Sequence, residues 1–391
     1  MAPAAHFDQS HDPVWITDLR LTRFRNYDTA NLSAGPGPVV LVGDNGAGKT
    51  NLIEALSFLS PGRGLRRAVY GDVGQTGSGG DWAVAATVTD PRDSHLVGTG
   101  LQITEAGLDR SRRIRIDGTA VQRSEDLLDH IRVLWLTPSM DGLFTGPASD
   151  RRRFLDRFVL AIDRDHASRV NAFEKAMRGR NRLLEDHQSQ SSWIDAIEQQ
   201  MAELAVAVAA ARRELVDSLN AVIADAQTDR QAFPSAGLAL EGELESLIGS
   251  QTAVEVEDAY IALLRQGRHA DQAAGRTLKG PHRSDLTVQH MGKSMAASQC
   301  STGEQKALLI GLVLAQTALV AKMSGRTPVV LLDEVAAHLD RHRRAGLFAE
   351  LARLGCQAWM TGTEWAPFAD LGEAAQVYAI DNGQIATLTP E

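Results

Sequence analysis

Gly43-Asp44-Asn45-Gly46-Ala47-Gly48-Lys49-Thr50 fits the phosphate-loop pattern G-x-x-x-x-G-K-[ST]. Glycines at these positions let backbone N–H groups turn toward phosphates, and the positive end of the following helix faces the same point. The setting agrees. Pro38 to Val42 reads as a short buried strand ahead of the loop, and Gly48 to Leu59 as a helix behind it, with Leu52, Ile53, Leu56 and Leu59 on one face. Gly43 to Thr50 are therefore expected to bind ATP, with Lys49 reaching the β and γ phosphates and the Thr50 hydroxyl holding Mg²⁺.

Far downstream, Val329 to Leu332 is a second run of buried-strand residues, and it ends in Asp333-Glu334. Open α/β sheets bind ligands beyond the carboxyl ends of their strands. Asp333 is expected to hold Mg²⁺, and Glu334 to orient and polarise an attacking water, so that Lys49 and Glu334 carry the chemistry. Between the two motifs, Ser301-Thr302-Gly303-Glu304-Gln305 opens a long apolar helix. Two readings are open for it. Glu304 is the third residue of a capping box on Ser301, or Ser301 and Gly303 form a second anion-binding terminus, with a hydroxyl and free N–H groups pointing outward. A nucleotide pocket must gather its parts in space, so the chain between the motifs has to leave the ATPase lobe and return.

The chain has 391 residues, 43% of them hydrophobic, enough for two or three domains with real cores. It has no 18 uninterrupted apolar residues, and Met1 to Pro13 lacks an apolar signal core, which points to the cytoplasm. Cys300 and Cys356 form no C-x-x-C and are expected to be packing residues. The formal charge of −9 argues mildly against a nucleic-acid partner, but local distribution decides such a question. From Arg151 to Arg182 there are ten basic residues against four acidic ones. Such a run is a solvated face or a phosphate-binding surface. On the second reading Arg151, Arg152, Arg153, Arg178, Arg180 and Arg182 are DNA-contact candidates. The aromatics among them, Phe154, Phe158 and Phe173, sit at core-like helical spacing, which favours backbone binding over base stacking. Smaller basic clusters lie at Arg63 to Arg67, Arg110 to Arg115 and Arg341 to Arg344.

Along the chain, strand patterns at Trp15 to Phe24, Trp82 to Val88, Leu96 to Thr104 and Arg112 to Asp117 surround the first motif. From Ser149 to Asp229 there is no proline and apolar residues recur at helical spacing, without sustained heptads, which predicts a compact helical lobe. Thr252 to Gln266 reads as a further helix. Helix Gly303 to Met323, strand Thr327 to Leu332, helix Arg341 to Leu354 and strand Gln357 to Thr361 restore the α/β pattern. The expected division is an ATPase lobe at 1–146, a helical lobe at 147–275 and the rest of the ATPase lobe at 276–391.

Taken together the motifs resemble the ABC-type ATPases, in which the signature helix of one subunit caps the γ-phosphate held by the phosphate loop of the other. That resemblance implies an α/β head with a mixed sheet and flanking helices, a two-fold dimer around ATP, Ser301, Gly303 and Glu304 acting in trans, and His338-Leu339-Asp340 as the D-loop. Glu304 where transporters carry Gln is similar to the chromosome-maintenance (SMC) branch. Thr361-Gly362-Thr363 falls where the class carries a switch histidine, and Thr361 or Thr363 is the candidate substitute; Gln75 is the candidate glutamine of the loop named for it. A transporter subunit would have a signature closer to the phosphate loop, a switch histidine and a shorter chain.

Phe24-Arg25-Asn26-Tyr27, Gly62-Arg63-Gly64-Leu65-Arg66-Arg67, Arg151-Arg152-Arg153-Phe154-Leu155-Asp156, Arg180-Asn181-Arg182-Leu183-Leu184 and Leu278-Lys279-Gly280-Pro281-His282-Arg283-Ser284-Asp285-Leu286 resemble, in order, the pattern of the RecF family of bacterial recombination proteins. The resemblance implies a weak DNA-linked ATPase of DNA repair, replication and the SOS response. Such a protein binds gapped DNA where single strand meets duplex and helps load the recombinase with RecR and RecO. The rival reading is an SMC-like scaffold that binds ATP with little turnover. Arg63, Arg66 and Arg67 are open to three readings: DNA contacts, an arginine finger or solvated surface.

Overall fold

The computed structural model of the protein describes residues 11–104, 107–108, 111–186, 190–226, 232–336 and 339–389. Met1 to Ser10, Arg110 and His338 of the readings above lie outside these residues. The described chain divides into two compact units, one of Met1–Asp141, Asp229–Phe233 and Leu309–Glu391, the other of Gly142–Thr228 and Pro234–Leu308.

Four-residue runs with no polar side, Val39–Val42, Val133–Leu136 and Val329–Leu332, are buried along their whole length. That burial is what strands in the middle of a parallel sheet require. In the first unit they make a six-stranded sheet in the order Val133–Leu136, Val329–Leu332, Ala358–Gly362, Val39–Val42, Gln376–Asp381, Gln384–Leu388. All neighbours are parallel except the last pair. Val42 is in register with Gly362, and Leu332 with Met360. The phosphate loop, the two carboxylates and Thr361 thus leave adjoining strands at one end.

A second, antiparallel sheet runs Tyr27–Ser33, Trp15–Phe24, Trp82–Thr89, Ser94–Leu101, Arg113–Ile116, Thr119–Val121. Its inner face joins the helix Lys49–Ser57 in one core. Phe24, Phe58 and Trp82 meet there with ring centroids 4.9 to 6.0 Å apart. Trp359 is fully buried and both cysteines are buried and unpaired, in keeping with the packing roles expected of them.

In the second unit, helices Ala148–Leu160, His166–Glu185, Ser191–Ala226 and Ala253–Ala274 carry the expected helical spacing. Phe173, Met201, Ala205, Tyr260 and Leu264 form its core. Thr252 begins the last of these helices with a full capping box to Glu255, and Gly275 ends it at φ 64°. Two expectations are corrected here. The unit is not wholly helical, because Ala236–Glu241, Asp285–His290 and Met295–Ala296 form an antiparallel sheet within it. Nor does the chain rejoin the ATPase lobe at 276. Residues 276–308, Ser301 included, cluster with the second unit, since Asp285–His290 pairs with Ala236–Glu241 over its full length.

The helix Thr302–Ser324 is long and apolar enough to cross a membrane by composition, with a mean hydropathy of 1.8, yet 72% of that window is buried inside the protein. That degree of burial is the mark of a core helix.

Candidate nucleotide site

The loop after Val42 needs its glycines. Gly43, Gly46 and Gly48 have φ of 150°, 86° and 120°, and a Cβ on Gly48 would stand 2.6 Å from Asn26 Nδ2 and 2.8 Å from the Tyr27 hydroxyl. Asp44, Asn45 and Gly46 form the exposed crest, whereas Ala47, Gly48 and Lys49 are buried. Lys49 Nζ donates to the carbonyls of Gly43 (2.6 Å) and Asp44 (2.8 Å), both neutral oxygens. Burial lowers its pKa, against the opposing pull of Glu334, Asp333 and Asp44. A buried cation beneath a glycine crest is chemically suited to an anion with several oxygens.

The loop is braced by residues that sequence reasoning did not assign to it. Asn26 Nδ2 donates to the Ala47 carbonyl (3.2 Å) and the Tyr27 hydroxyl to that of Gly48 (3.0 Å). Asn26 Oδ1 accepts from Asn51 Nδ2 at 2.7 Å, tying the same side chain to the helix beyond the loop. Glu54 of that helix is fully buried. It receives a two-point contact from Arg25 (2.9 and 2.7 Å) and a third bond from Arg66 (2.7 Å). The segments Phe24 to Tyr27 and Gly62 to Arg67 thus meet on the loop's own helix. Arg66 is committed within the chain and retains 40% side-chain exposure.

Opposite Lys49, Asp333 is 4% exposed. Its Oδ1 accepts from Thr50 Oγ1 (3.1 Å) and Thr361 Oγ1 (2.8 Å). The Thr361 hydroxyl in turn accepts the Glu334 N–H at 2.8 Å. Burial raises the Asp333 pKa, and the two hydroxyls and Arg66 offset this in part. Glu334 has φ 54°, a left-handed conformation unusual for a side chain of this kind and found at functional turns. The Thr50 hydroxyl, on the helix after the loop, and the Asp333 carboxylate, just past the strand Val329–Leu332, are hard oxygens at one point, a donor set that fits Mg²⁺. A divalent cation held by these two oxygens would supply charge neutralisation to a bound phosphate chain. Thr361 is buried and links the Asp333 carboxylate to the Glu334 N–H, while Thr363 is exposed. Gln75 lies in a turn whose backbone bonds to Arg23 and Ser78.

In the second unit, Ser301, Thr302 and Gly303 are exposed at the start of their helix. Glu304 Oε2 accepts both the N–H (3.0 Å) and the hydroxyl (2.9 Å) of Ser301, and its other oxygen pairs with Lys293. Lys293 and Ser301 together draw the Glu304 pKa down to about 2. The start of the helix thus has Glu304 holding both the N–H and the hydroxyl of Ser301, while Ser301 itself is exposed to solvent. Asp340 caps the helix Arg341–Leu354, accepting the Arg343 N–H at 2.9 Å.

The basic run from Arg151 to Arg182 is not one surface. Arg180 is removed from the DNA-contact set. It is 0% exposed and bonds Glu198 (2.9 Å), Asp271 (2.6 Å), Thr277 (3.0 Å) and the Leu264 carbonyl (2.9 Å). Its position on the inner face of His166–Glu185 makes it a core ion pair. Arg151 forks onto Asp285 with two bonds of 2.7 Å, and Arg152 donates to the Ser284 carbonyl at 2.7 Å. Arg153, paired with Asp150, Arg178, paired with Glu174, and Arg182 are exposed.

The chain matches the family described as RecF/RecN/SMC N terminal domain over residues 15–385. It is 54% identical over 370 residues to the DNA replication and repair protein RecF of Mesorhizobium japonicum, covering 95% of this chain and 97% of that one. The chain belongs to the RecF family. The RecF of Brucella suis is likewise 54% identical, over 381 residues, with 97% of this chain and 98% of that one covered. Among solved structures, one described as the recombination mediator protein RecF-ATPrS in the RecFOR pathway superposes with a TM-score of 0.84 at 20% identity, covering 97% of this chain and 100% of the other. An Smc head domain from Pyrococcus furiosus superposes with a TM-score of 0.51 at 16% identity, covering 96% of each. At these identities the likeness is one of fold, and the fold is that of the SMC/RecF ABC-type ATPase head.

Proposed function

We propose that this RecF-family chain is a cytoplasmic, ATP-dependent DNA-binding protein of recombinational repair and replication restart. It dimerises around ATP, clamps gapped DNA at junctions of single and double strand, and helps load the recombinase with RecR and RecO. The observation that carries this reading is the meeting of Lys49, Thr50, Asp333 and Glu334 at one end of the parallel sheet, with Thr50 and Thr361 sharing one oxygen of Asp333. The names of the relatives, DNA replication and repair proteins, support the cellular role.

In this reading the loop Gly43, Asp44, Asn45, Gly46, Ala47, Gly48 binds the triphosphate through its N–H groups, and Lys49 exchanges its carbonyl partners for phosphate oxygens. Thr50 and Asp333 hold Mg²⁺. Glu334 accepts a proton from the attacking water, its N–H fixed by Thr361. Ser301 and Gly303 of a second copy meet the same triphosphate, after Glu304 gives up the serine hydroxyl it now holds, and Asp340 lies in the D-loop beside the second site. Hydrolysis is slow, without a switch histidine, and resets the clamp.

Sedimentation velocity with and without ATP tests the dimer. Ser301→Arg is expected to bind ATP with wild-type affinity yet remain a monomer, whereas Lys49→Arg binds ATP poorly. Normal ATP-driven dimerisation of Ser301→Arg would overturn the cross-subunit site.

A further inference from the structure

Gly275 to Ser284, within the Leu278 to Leu286 motif and its approach, is the part of the sequence pattern that the nucleotide site leaves unexplained. These ten residues include Arg276, Lys279, His282 and Arg283, and no Asp, Glu, Phe, Tyr or Trp. Their backbone is fixed from within. The Tyr260 hydroxyl donates to the Lys279 carbonyl (2.9 Å), Arg212 to the Pro281 carbonyl (2.6 Å) and the Ser284 hydroxyl (3.0 Å), and Arg152 to the Ser284 carbonyl (2.7 Å). Asp271 accepts the Leu278 N–H (3.0 Å) and Arg180 donates to the Thr277 hydroxyl (3.0 Å). Gly280, at φ 131°, passes so close to Tyr260 that a Cβ would lie 2.2 Å from its hydroxyl.

The arginines of this region therefore divide by role. Arg152, Arg180 and Arg212 build the loop's support, while Arg276, Lys279 and Arg283 are exposed on its outer side. Of these three only Lys279 has a carboxylate in contact among the described residues, Glu243 at 3.0 Å with both side chains half exposed, a pairing of little strength. Arg283 and Arg152 lie close enough to repel each other. Three exposed cations on one internally fixed turn that carries no acidic residue of its own constitute a preorganised anion surface. His282 does not offer a stacking face, since its ring packs on Phe173 at 5.8 Å and its Nε2 lies 3.0 Å from the Thr277 carbonyl.

We propose that the Gly275–Ser284 loop is the surface of the second unit that holds the phosphate backbone of duplex DNA, through Arg276, Lys279 and Arg283. This rests on the DNA-binding reading given above and identifies the side chains it uses. Guanidinium and ammonium groups on a fixed turn, with no base-stacking partner among them, suit backbone binding without sequence preference.

Fluorescence anisotropy of labelled gapped DNA, titrated with the full chain between about 50 and 200 mM salt, reads the number of neutralised phosphates from the slope of log K against log salt. The triple variant Arg276→Ala, Lys279→Ala, Arg283→Ala is expected to flatten that slope by about 0.9 for each phosphate no longer neutralised, about 2.7 in all. Arg283→Lys, which keeps the charge, retains the slope. Thermal melting checks that each variant is folded. A triple variant with the wild-type slope and affinity overturns the loop as a DNA surface and leaves an acidic protein as its partner. If the slope falls in Arg178→Ala with Arg182→Ala and not in the loop variant, the DNA-binding function stands and this inference fails. No binding by the wild-type chain overturns both.

Discussion

Arg180 and Arg182 are two residues apart in a basic run and have opposite fates. One side chain is fully buried between Glu198 and Asp271, the other is exposed. Truncating Arg180 leaves the buried Asp271 without its cation, while Glu198 keeps Arg268, a change that costs about 3 to 5 kcal/mol, whereas Arg182→Ala is expected to stay within about 0.5 kcal/mol. Urea unfolding of the two variants measures the difference, and equal stability would contradict the core position of Arg180. The same contrast marks the limit of reading charge from sequence. Composition counts ten cations between Arg151 and Arg182, but only the helix's rotation decides which meet water and which meet Glu198. Lys49, Thr50, Asp333 and Glu334, by comparison, are legible one by one, because a nucleotide site requires those residue types at fixed distances from a glycine loop or a strand end.

At the level of elements, the hairpin of Trp15–Phe24 and Tyr27–Ser33 is a brace for the phosphate loop. Its turn delivers Arg25 to Glu54, Asn26 to Ala47 and Tyr27 to Gly48. Asn26→Ala removes two hydrogen bonds, each worth about 1 kcal/mol, and is expected to raise the ATP Kd by up to about thirtyfold. Calorimetric titration with ATP, beside a melting curve to show intact folding, checks this; an unchanged Kd would mean that the loop holds its shape unaided. The second strand of the hairpin is not legible in the sequence, since Tyr27–Ser33 buries only three of seven residues and carries Asp28 and Asn31 outward. The strands Val133–Leu136, Gln376–Asp381 and Gln384–Leu388 escape sequence reading for a related reason. Short strands have no periodicity to separate them from loop residues until partners on either side supply the ladder.

For the whole molecule, the proposed cycle of closure on ATP and release by hydrolysis predicts that the dimer's lifetime depends on Glu334. Glu334→Gln keeps the size of the side chain and loses its capacity as a base, which is worth about 10² to 10⁴ in rate. The variant is expected to form dimers with ATP that outlast the wild type's by a comparable factor, measured by sedimentation after excess ADP is added; dimers that decay at the wild-type rate would remove Glu334 from the chemistry. The sequence alone determined a phosphate-loop motif on an α/β lobe interrupted by helices, because spaced glycines ending in Gly48-Lys49-Thr50 and buried β runs are local demands that few other folds make. Tertiary structure decided what depends on distant partners: that Asp285–His290 pairs with Ala236–Glu241 within the second unit, that the Thr361 hydroxyl ties the Asp333 carboxylate to the Glu334 N–H, and which arginines are structural. Each of these is a contact between residues far apart in the chain, where burial and hydrogen bonding to a specific neighbour fix the outcome and residue type by itself leaves it open.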